Sequence, residues 1–219
     1  MKEYKLVIFD MDGTFLDSKT FHTEVFYRFF RQYIGSVSRS AVAKNMGTTV
    51  KDIFMNFQIP ERDFEDLFHK LERFSVCCVD DILSEIRVGE GIYETLTEIR
   101  KRNVRTALVT NSMQPITEQM LKFHGLFPLF DIISGADIDS IDKSVRCEKA
   151  LEKTQAARDK VILIGDAESD MCLANKMGYD SCFADTEISW YRDKEYIMRV
   201  LRPTCTVQHL KEIPSIIFQ

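Results

Sequence analysis

The chain has 219 residues, of which 45% are hydrophobic and 29% are charged, as in folded globular proteins and unlike disordered ones. Its formal net charge of −5 argues against the broad basic surface that a general nucleic-acid-binding protein needs. No apolar run approaches the roughly 20 residues that span a membrane, so we expect neither a nucleic acid nor a membrane as partner.

The first predicted element is a strand at residues 4–9. Leu6 to Phe9 is continuously apolar, which is typical of a strand buried on both faces of a parallel sheet. The strand stops at the acidic, turn-like segment 10–14, which contains Asp10 and Asp12. These carboxylates would therefore lie at the carboxyl end of a buried strand.

Residues 19–88 are predicted to be a helical block. Apolar residues recur at helical spacing in 20–33, 50–57 and 63–74, and no comparably strong strand pattern appears. Nine of the 16 phenylalanines lie between residues 21 and 74, which predicts a small core for this block. A connection from strand to helix normally takes a few residues, so about 70 residues here indicate an inserted subdomain.

Strands and helices alternate beyond residue 88. Strong strand patterns lie at 105–109, 130–133 and 161–164, and weaker ones at 181–184 and 205–207. Helices are predicted at 92–101, 115–124, 145–154 and 169–177. This alternation predicts an α/β fold with a Rossmann-like parallel sheet, divided into a core at 1–18 and 89–219 and an inserted all-helical subdomain at 19–88.

The cysteine pattern bears on the cellular compartment. The six cysteines are scattered and lack the spacing of a metal site. The N-terminal segment has neither the long apolar stretch nor the small-residue cleavage site of a secretion signal. Free thiols without such a signal are typical of a reducing environment, so we expect a cytoplasmic protein.

Polar residues follow the strongest predicted strands. Because open parallel sheets form their sites at the carboxyl ends of the strands, these residues are expected to converge. They are Asp10, Asp12, Thr110, Asn111, Ser134, Gly135, Asp166 and Asp170. Crowded carboxylates repel one another, and a hard cation such as Mg²⁺, together with a substrate phosphate, would relieve that repulsion.

Three segments carry a resemblance to a known family. The string VIFDMDGT at 7–14 resembles the first motif of the haloacid dehalogenase (HAD) superfamily. LVTNS at 108–112 is similar to the second motif, and IGDAESD at 164–170 is similar to the fourth. Lys143 is at a suitable spacing for the lysine of the third motif, with Lys149 as the alternative. The subgroup resembled is the one with phosphoglycolate phosphatases and β-phosphoglucomutases, in which the helical insert is a cap.

The resemblance implies a Mg²⁺-dependent phosphatase that hydrolyses a small phosphorylated metabolite through an aspartyl-phosphate. It implies that Asp10 is the nucleophile and Asp12 the proton donor and acceptor, while Thr110 and Lys143 stabilise the phosphoryl group. The implied Mg²⁺ site comprises Asp10, the Asp12 backbone carbonyl, Asp166 and Asp170. Residues expected to contact substrate are Thr14, Ser18, His22, Gly47 and Asn111.

Other activities within the superfamily remain as alternatives. Dehalogenases lack the second acid of the first motif, so Asp12 argues against dehalogenation. Mutases of the β-phosphoglucomutase type share a histidine at the position of His22, but they place an arginine where this chain has Val50. A non-catalytic phosphometabolite-binding protein would not need Asp12. The phosphatase is therefore the main prediction, with the mutase and the binding protein as alternatives.

Overall fold

The computed structural model describes residues 3–77 and 80–218. Eight strands lie within these ranges: β1 (Leu6–Phe9), β2 (Leu16–Asp17), β3 (Arg87–Val88), β4 (Arg105–Met113), β5 (Ile132–Ala136), β6 (Val161–Gly165), β7 (Asp180–Ala184) and β8 (Cys205–Val207). Eleven α-helices accompany them in the same ranges: α1 (Lys19–Tyr33), α2 (Arg39–Ala43), α3 (Val50–Asn56), α4 (Phe64–Cys77), α5 (Asp80–Leu83), α6 (Ile92–Lys101), α7 (Gln114–Phe123), α8 (Lys143–Thr154), α9 (Glu168–Met177), α10 (Lys194–Tyr196) and α11 (Ile213–Ile217).

Six strands form one parallel sheet in the spatial order β5-β4-β1-β6-β7-β8. The central strand β1 is covered on both faces because its side chains alternate between two apolar clusters. Leu6 and Ile8 belong to one cluster, and Val7 and Phe9 belong to the other. The predicted α/β fold with a parallel sheet is thereby confirmed.

β4 and β5 differ most from their predicted bounds. β4 does not end before Thr110 but continues to Met113, with a shift of register between Val109 and Met113. β5 contains Ser134 and Gly135, which were predicted to follow the strand. Sequence patterns find the apolar centre of a strand, but the irregular pairing that prolongs these two strands depends on tertiary contacts. Thr110 therefore lies within β4 and not after it.

A two-stranded antiparallel pair was not predicted. β2 pairs with β3, with Leu16 opposite Val88 and Asp17 opposite Arg87. The Arg87 guanidinium also donates to the Asp17 carboxylate, at 3.0 Å from Nε to Oδ2. Strands of two residues are too short to show a periodic pattern, so only the folded chain reveals them. The pair brings the two ends of the predicted insert together.

Five helices, α1 to α5, lie between β2 and β3 among the described residues. The clustered phenylalanines pack together here, as expected. Phe29 stacks on Phe54 with ring centroids 6.4 Å apart, and Phe30 lies 4.6 Å from Phe57. This apolar cluster continues into the sheet face that contains Phe9. Apolar contacts therefore join these helices to that face of the sheet.

In the part of the chain that the structure describes, no helix has both the length and the apolar character to cross a membrane. Cys77, Cys147, Cys172, Cys182 and Cys205 are free thiols. The sixth cysteine, Cys78, lies outside the described residues.

Candidate active site

The carboxyl ends of β1, β4 and β6 meet at a cavity of about 550 Å³. Asp10 follows β1, Thr110 lies near the end of β4, and Asp166 follows β6. All three residues line the cavity together with Asp12 and Asp170. The structure therefore brings together the acids that the sequence placed at this edge of the sheet.

Three buried aspartates form the centre of the site. Asp10, Asp166 and Asp170 each offer a carboxylate oxygen, and these oxygens lie within 4.8 Å of one another. The Lys143 ammonium donates to Oδ1 of Asp10 at 2.5 Å and to Oδ1 of Asp170 at 2.7 Å. Lys143 is the buried first residue of α8, whereas Lys149 is exposed on the same helix. This placement favours Lys143 over Lys149 as the lysine of the site.

The cluster holds more negative than positive charge. Burial raises the pKa of Asp10 to about 7, although the Lys143 charge opposes this shift, and the charges of Asp170 and Asp12 add to it. Burial, followed by the charges of Asp170 and Asp10, raises the pKa of Asp166 well above its usual value. One lysine thus faces three carboxylates, and this donor set fits a hard divalent cation with oxygen ligands.

The raised pKa of Asp10 predicts that stability depends on pH in the metal-free protein. From the usual aspartate pKa near 4 up to about 7, the folded state holds a proton that the unfolded state has released. The free energy of unfolding should therefore fall as pH rises through this window. We expect Tm in EDTA to be about 5 °C lower at pH 7.5 than at pH 5. Thermal scans check this, and an equal or higher Tm at pH 7.5 would contradict it.

The Asp12 carboxylate is not part of this cluster and is enclosed by polar side chains. Its Oδ1 accepts from Ser18 at 2.5 Å and lies 2.8 Å from His22 Nε2. Its Oδ2 accepts from Ser112 at 2.6 Å and from Thr110 at 3.1 Å. Burial alone would raise the pKa of Asp12, but the His22 charge and these hydrogen bonds outweigh burial and lower the pKa to about 2. Asp12 is thus held as a carboxylate in the substrate-free protein.

Backbone groups complete the carboxylate arrangement. Gly13 has a φ of +82°, and a Cβ there would lie 2.4 Å from Asp166 Oδ2, so only glycine fits. Gly165 is equally restricted, because an added Cβ would lie 2.4 Å from Asp170 Cγ. The backbone N–H of Trp190 donates to Asp166 Oδ2 at 2.5 Å. These contacts fix the Asp166 and Asp170 carboxylates against the β1 turn.

The residues expected to contact substrate fall into two groups. His22, Gly47 and Asn111 line the cavity. Thr14 and Ser18 are fully buried and are not among the described residues that line it. The Thr14 hydroxyl instead donates to Asp166 Oδ1 at 2.8 Å, as the Ser18 hydroxyl does to Asp12. Their placement favours a role in orienting carboxylates over direct contact with substrate.

Arg146 is a site residue that sequence reasoning missed. Its guanidinium is fully buried and donates to the backbone carbonyls of Ser140, Ile141 and Thr110 and to Asn111 Oδ1, the last two at 2.9 and 3.0 Å. Burial lowers the pKa of Arg146 to about 10. The available signal was its position three residues after Lys143, on the buried face of the same helix. Arg146 therefore holds the end of β4 in place.

Replacing Arg146 with methionine is expected to lower the free energy of unfolding by about 2–4 kcal/mol, because several buried acceptors lose their donor. Arg158→Met is the matched control, since the Arg158 side chain is 48% exposed where it pairs with Glu148. Arg158→Met should lower the free energy of unfolding by less than about 1 kcal/mol. Urea denaturation measures both variants, and equal stability would contradict the role given to Arg146.

Trp190 was also not identified from sequence. Besides its bond to Asp166, its indole ring lies edge-on to His22, with ring centroids 6.2 Å apart. The ring covers Gly13, where an added Cβ would lie 2.7 Å from Trp190 Cδ1. The loop after β7 that carries Trp190 shows no periodic pattern, and only its folding over the β1 turn places it at the cavity.

Two groups of known proteins resemble this chain over nearly its full length. Pyrophosphatase PpaX from Halalkalibacterium halodurans is 23% identical over 218 residues, which cover 98% of this chain and 97% of that protein. Among solved structures, a predicted phosphatase from Clostridium acetobutylicum has a TM-score of 0.82 at 22% identity, covering 99% of both chains. A haloacid dehalogenase-like family hydrolase from Streptococcus pneumoniae has a TM-score of 0.78 at 19% identity, also covering 99% of both. At such low identity these structures show a shared fold.

A sequence model described as haloacid dehalogenase-like hydrolase matches residues 7–184. The matched span begins within β1 and contains every acid of the cluster, together with Lys143 and Thr110. The resemblance predicted from the motifs is therefore confirmed, and the chain belongs to the haloacid dehalogenase-like hydrolase family.

Proposed function

We propose that this hydrolase is a Mg²⁺-dependent phosphatase that hydrolyses a small phosphorylated metabolite through an aspartyl-phosphate on Asp10. The observation that carries the proposal is the convergence of the Asp10, Asp166 and Asp170 carboxylates, two of which bind the Lys143 ammonium. Asp12 lines the same cavity. The phosphatase and pyrophosphatase names of the similar proteins support it. We also propose that residues 19–88 form a helical cap over this site, and that the free thiols reflect a cytoplasmic location.

The first step transfers the phosphoryl group to the enzyme. A carboxylate oxygen of Asp10 attacks phosphorus, and the bond from phosphorus to the leaving oxygen breaks. That oxygen takes a proton from the Asp12 carboxyl, which acts as general acid. Because the pKa of Asp12 is low without substrate, the proton must reach Asp12 as the phosphate ester binds. Lys143 and the Thr110 hydroxyl stabilise the charge of the phosphoryl group.

The second step returns the enzyme to its starting state. Asp12, now a carboxylate, takes a proton from water, whose oxygen attacks the phosphorus of the aspartyl-phosphate. The bond between phosphorus and the Asp10 oxygen breaks, and inorganic phosphate leaves. The hydrogen bonds from Ser18, Ser112 and His22 hold the Asp12 carboxylate in place for this proton transfer. The same side chain thus acts first as acid and then as base.

The residues that would hold Mg²⁺ are Asp10, Asp166 and Asp170, since they form the cluster of oxygen ligands. When bound, Mg²⁺ would offset the repulsion between these carboxylates and the phosphoryl oxygens. Thr14 and the backbone N–H of Trp190 support this arrangement by holding Asp166.

Removing the metal tests the proposal. With Mg²⁺ the enzyme is expected to release phosphate from p-nitrophenyl phosphate and from members of a metabolite phosphate panel. An excess of EDTA should lower the rate by about 100-fold or more, since charge stabilisation by a metal is worth several kcal/mol. Added Mg²⁺ should restore it. A rate unchanged by EDTA would contradict the metal site, and an isomerised sugar phosphate with little free phosphate would indicate a mutase instead.

A further inference from the structure

The cavity has two ends of different chemical character. The polar end contains the aspartates and Lys143. The other end, which we call the apolar end, is lined by side chains from α1, α3 and α7 that are each at most 5% exposed: Phe21, Val25, Phe26, Val50, Ile53 and Ile116. A phosphate held at Asp10 would leave the remainder of the substrate to occupy this apolar end.

Polar side chains on the helical wall are already hydrogen-bonded to their own backbone. The Ser75 hydroxyl donates to the Glu72 carbonyl at 2.8 Å, and the Thr48 hydroxyl donates to the Asn45 carbonyl at 2.8 Å. His22 is engaged by Asp12. The wall therefore offers a substrate mainly hydrocarbon surface.

The six side chains that define the apolar end carry no charge, and few cations line the cavity. Among the described residues that line the cavity, the arginines and lysines are Lys143 and Arg192. Lys143 is bound by two carboxylates at the polar end. Arg192 is exposed, and its Nη2 donates to the Lys44 carbonyl at 3.2 Å. Near it, Glu168 and Asp193 add negative charge to the cavity lining.

A second anionic group placed against these six side chains would therefore be buried without a cation. Burying an unpaired charge is costly, whereas burying an alkyl or aryl group in such a wall is favourable. The cavity volume of about 550 Å³ also lies within the range of pockets that bind medium-sized organic molecules. A buried indole N–H on Trp190 has no hydrogen-bond partner in the described part of the chain, so an uncharged oxygen of the substrate could accept from it.

We infer that the substrate is a phosphate monoester of an uncharged, largely apolar alcohol, and not a compound with a second anionic group such as pyrophosphate or phosphoglycolate. This inference rests on the proposed phosphatase activity. It separates the chain from the pyrophosphatases to which it is similar in sequence. The property that decides the substrate is the apolar and uncharged lining contributed by α1, α3 and α7.

A matched pair of substrates tests this preference. Hexyl phosphate and 6-phosphonooxyhexanoate each release a six-carbon primary alcohol, and they differ in that a carboxylate replaces the terminal methyl group. We expect kcat/KM with Mg²⁺ to be at least about tenfold higher for hexyl phosphate, because the carboxylate would be buried unpaired. Pyrophosphate and phosphoglycolate should also be poorer substrates than hexyl phosphate.

A charge introduced into the wall should reverse the preference. Met46 lines the cavity and is 7% exposed, and lysine matches its unbranched stem. Met46→Lys is expected to raise the ratio of kcat/KM for the carboxylate substrate over hexyl phosphate by about tenfold. Met46→Gln, which is polar and uncharged, is the control and should leave this ratio within about threefold of the original enzyme.

The outcomes separate the inference from the proposed function. Hydrolysis of both monoesters with a preference for the carboxylate, or a preference for pyrophosphate, would overturn the inference and leave the phosphatase proposal standing. An unchanged ratio in Met46→Lys, if that variant is folded by circular dichroism, would also overturn it. If no phosphate ester were hydrolysed in the presence of Mg²⁺, the proposed function itself would be wrong, and the inference with it.

Discussion

Replacing Asp10 with asparagine is expected to lower kcat by about 10⁴-fold or more for every phosphate substrate, because an amide oxygen is a poor nucleophile. The side chain keeps its size and can still accept the hydrogen bond from Lys143. Since burial already disfavours the Asp10 carboxylate, loss of its charge should not unfold the protein. We therefore expect Asp10→Asn to lower kcat and to leave the free energy of unfolding nearly unchanged.

Asp131→Asn is the matched control for this variant. Asp131 is an aspartate next to the opposite, amino-terminal end of β4, where it accepts from Arg105 at 2.7 Å and from the backbone of Thr106 at 2.9 Å. The Asp131→Asn variant should retain the turnover of the original enzyme. Mass spectrometry of acid-quenched protein should show a phosphoryl adduct in the original enzyme and none in Asp10→Asn. Near-full turnover of p-nitrophenyl phosphate by Asp10→Asn would refute its role as nucleophile.

Replacing Asp12 with asparagine is expected to separate the two steps of the reaction. For hexyl phosphate, kcat/KM should fall by about 10³-fold, because the alkoxide needs a proton as it leaves. For p-nitrophenyl phosphate, kcat/KM should stay within about tenfold, since p-nitrophenolate leaves without one. Its kcat should nevertheless fall, because the water that attacks the aspartyl-phosphate has lost its base.

Stopped-flow absorbance can measure this difference directly. Asp12→Asn should release about one equivalent of p-nitrophenol in a burst and then turn over slowly, as the phosphorylated enzyme accumulates. The Asp131→Asn control should show no comparable slowing. If Asp12→Asn lost the same factor in kcat/KM on both substrates, Asp12 would not be the proton donor to the leaving group. Loss of folding is excluded by a Tm close to that of the original enzyme.

Much of the sheet could be predicted from sequence because buried parallel strands are short, continuous apolar runs. β1, Leu6–Phe9, is the apolar part of the strand predicted at 4–9, and the helix Ile92–Lys101 has its predicted bounds. The ends of β4 and β5 could not be predicted, because a shift of register depends on the neighbouring strand. The β2–β3 pair was missed for a similar reason, since its two halves lie about 70 residues apart and have two residues each.

The residue types of the candidate site could be predicted from sequence, but which of them face the cavity and which orient the carboxylates could not. The motif positions Asp10, Asp166 and Asp170 meet as the rule for parallel sheets requires. The hydroxyls of Thr14 and Ser18 were expected at the substrate, yet they lie behind the carboxylates. A hydroxyl next to an acid in sequence gives no indication of whether it faces the cavity or the acid.

The sequence by itself determined the family, the parallel sheet and the residue types of the site, because these depend on local apolar runs and on motifs of a few residues. Only the tertiary structure decided what surrounds those motifs. It buried the Arg146 guanidinium against Thr110, folded Trp190 over Gly13, and placed apolar helical side chains in the same cavity as the aspartates. These contacts join segments far apart in the chain, and their energies arise from burial, which no local pattern encodes.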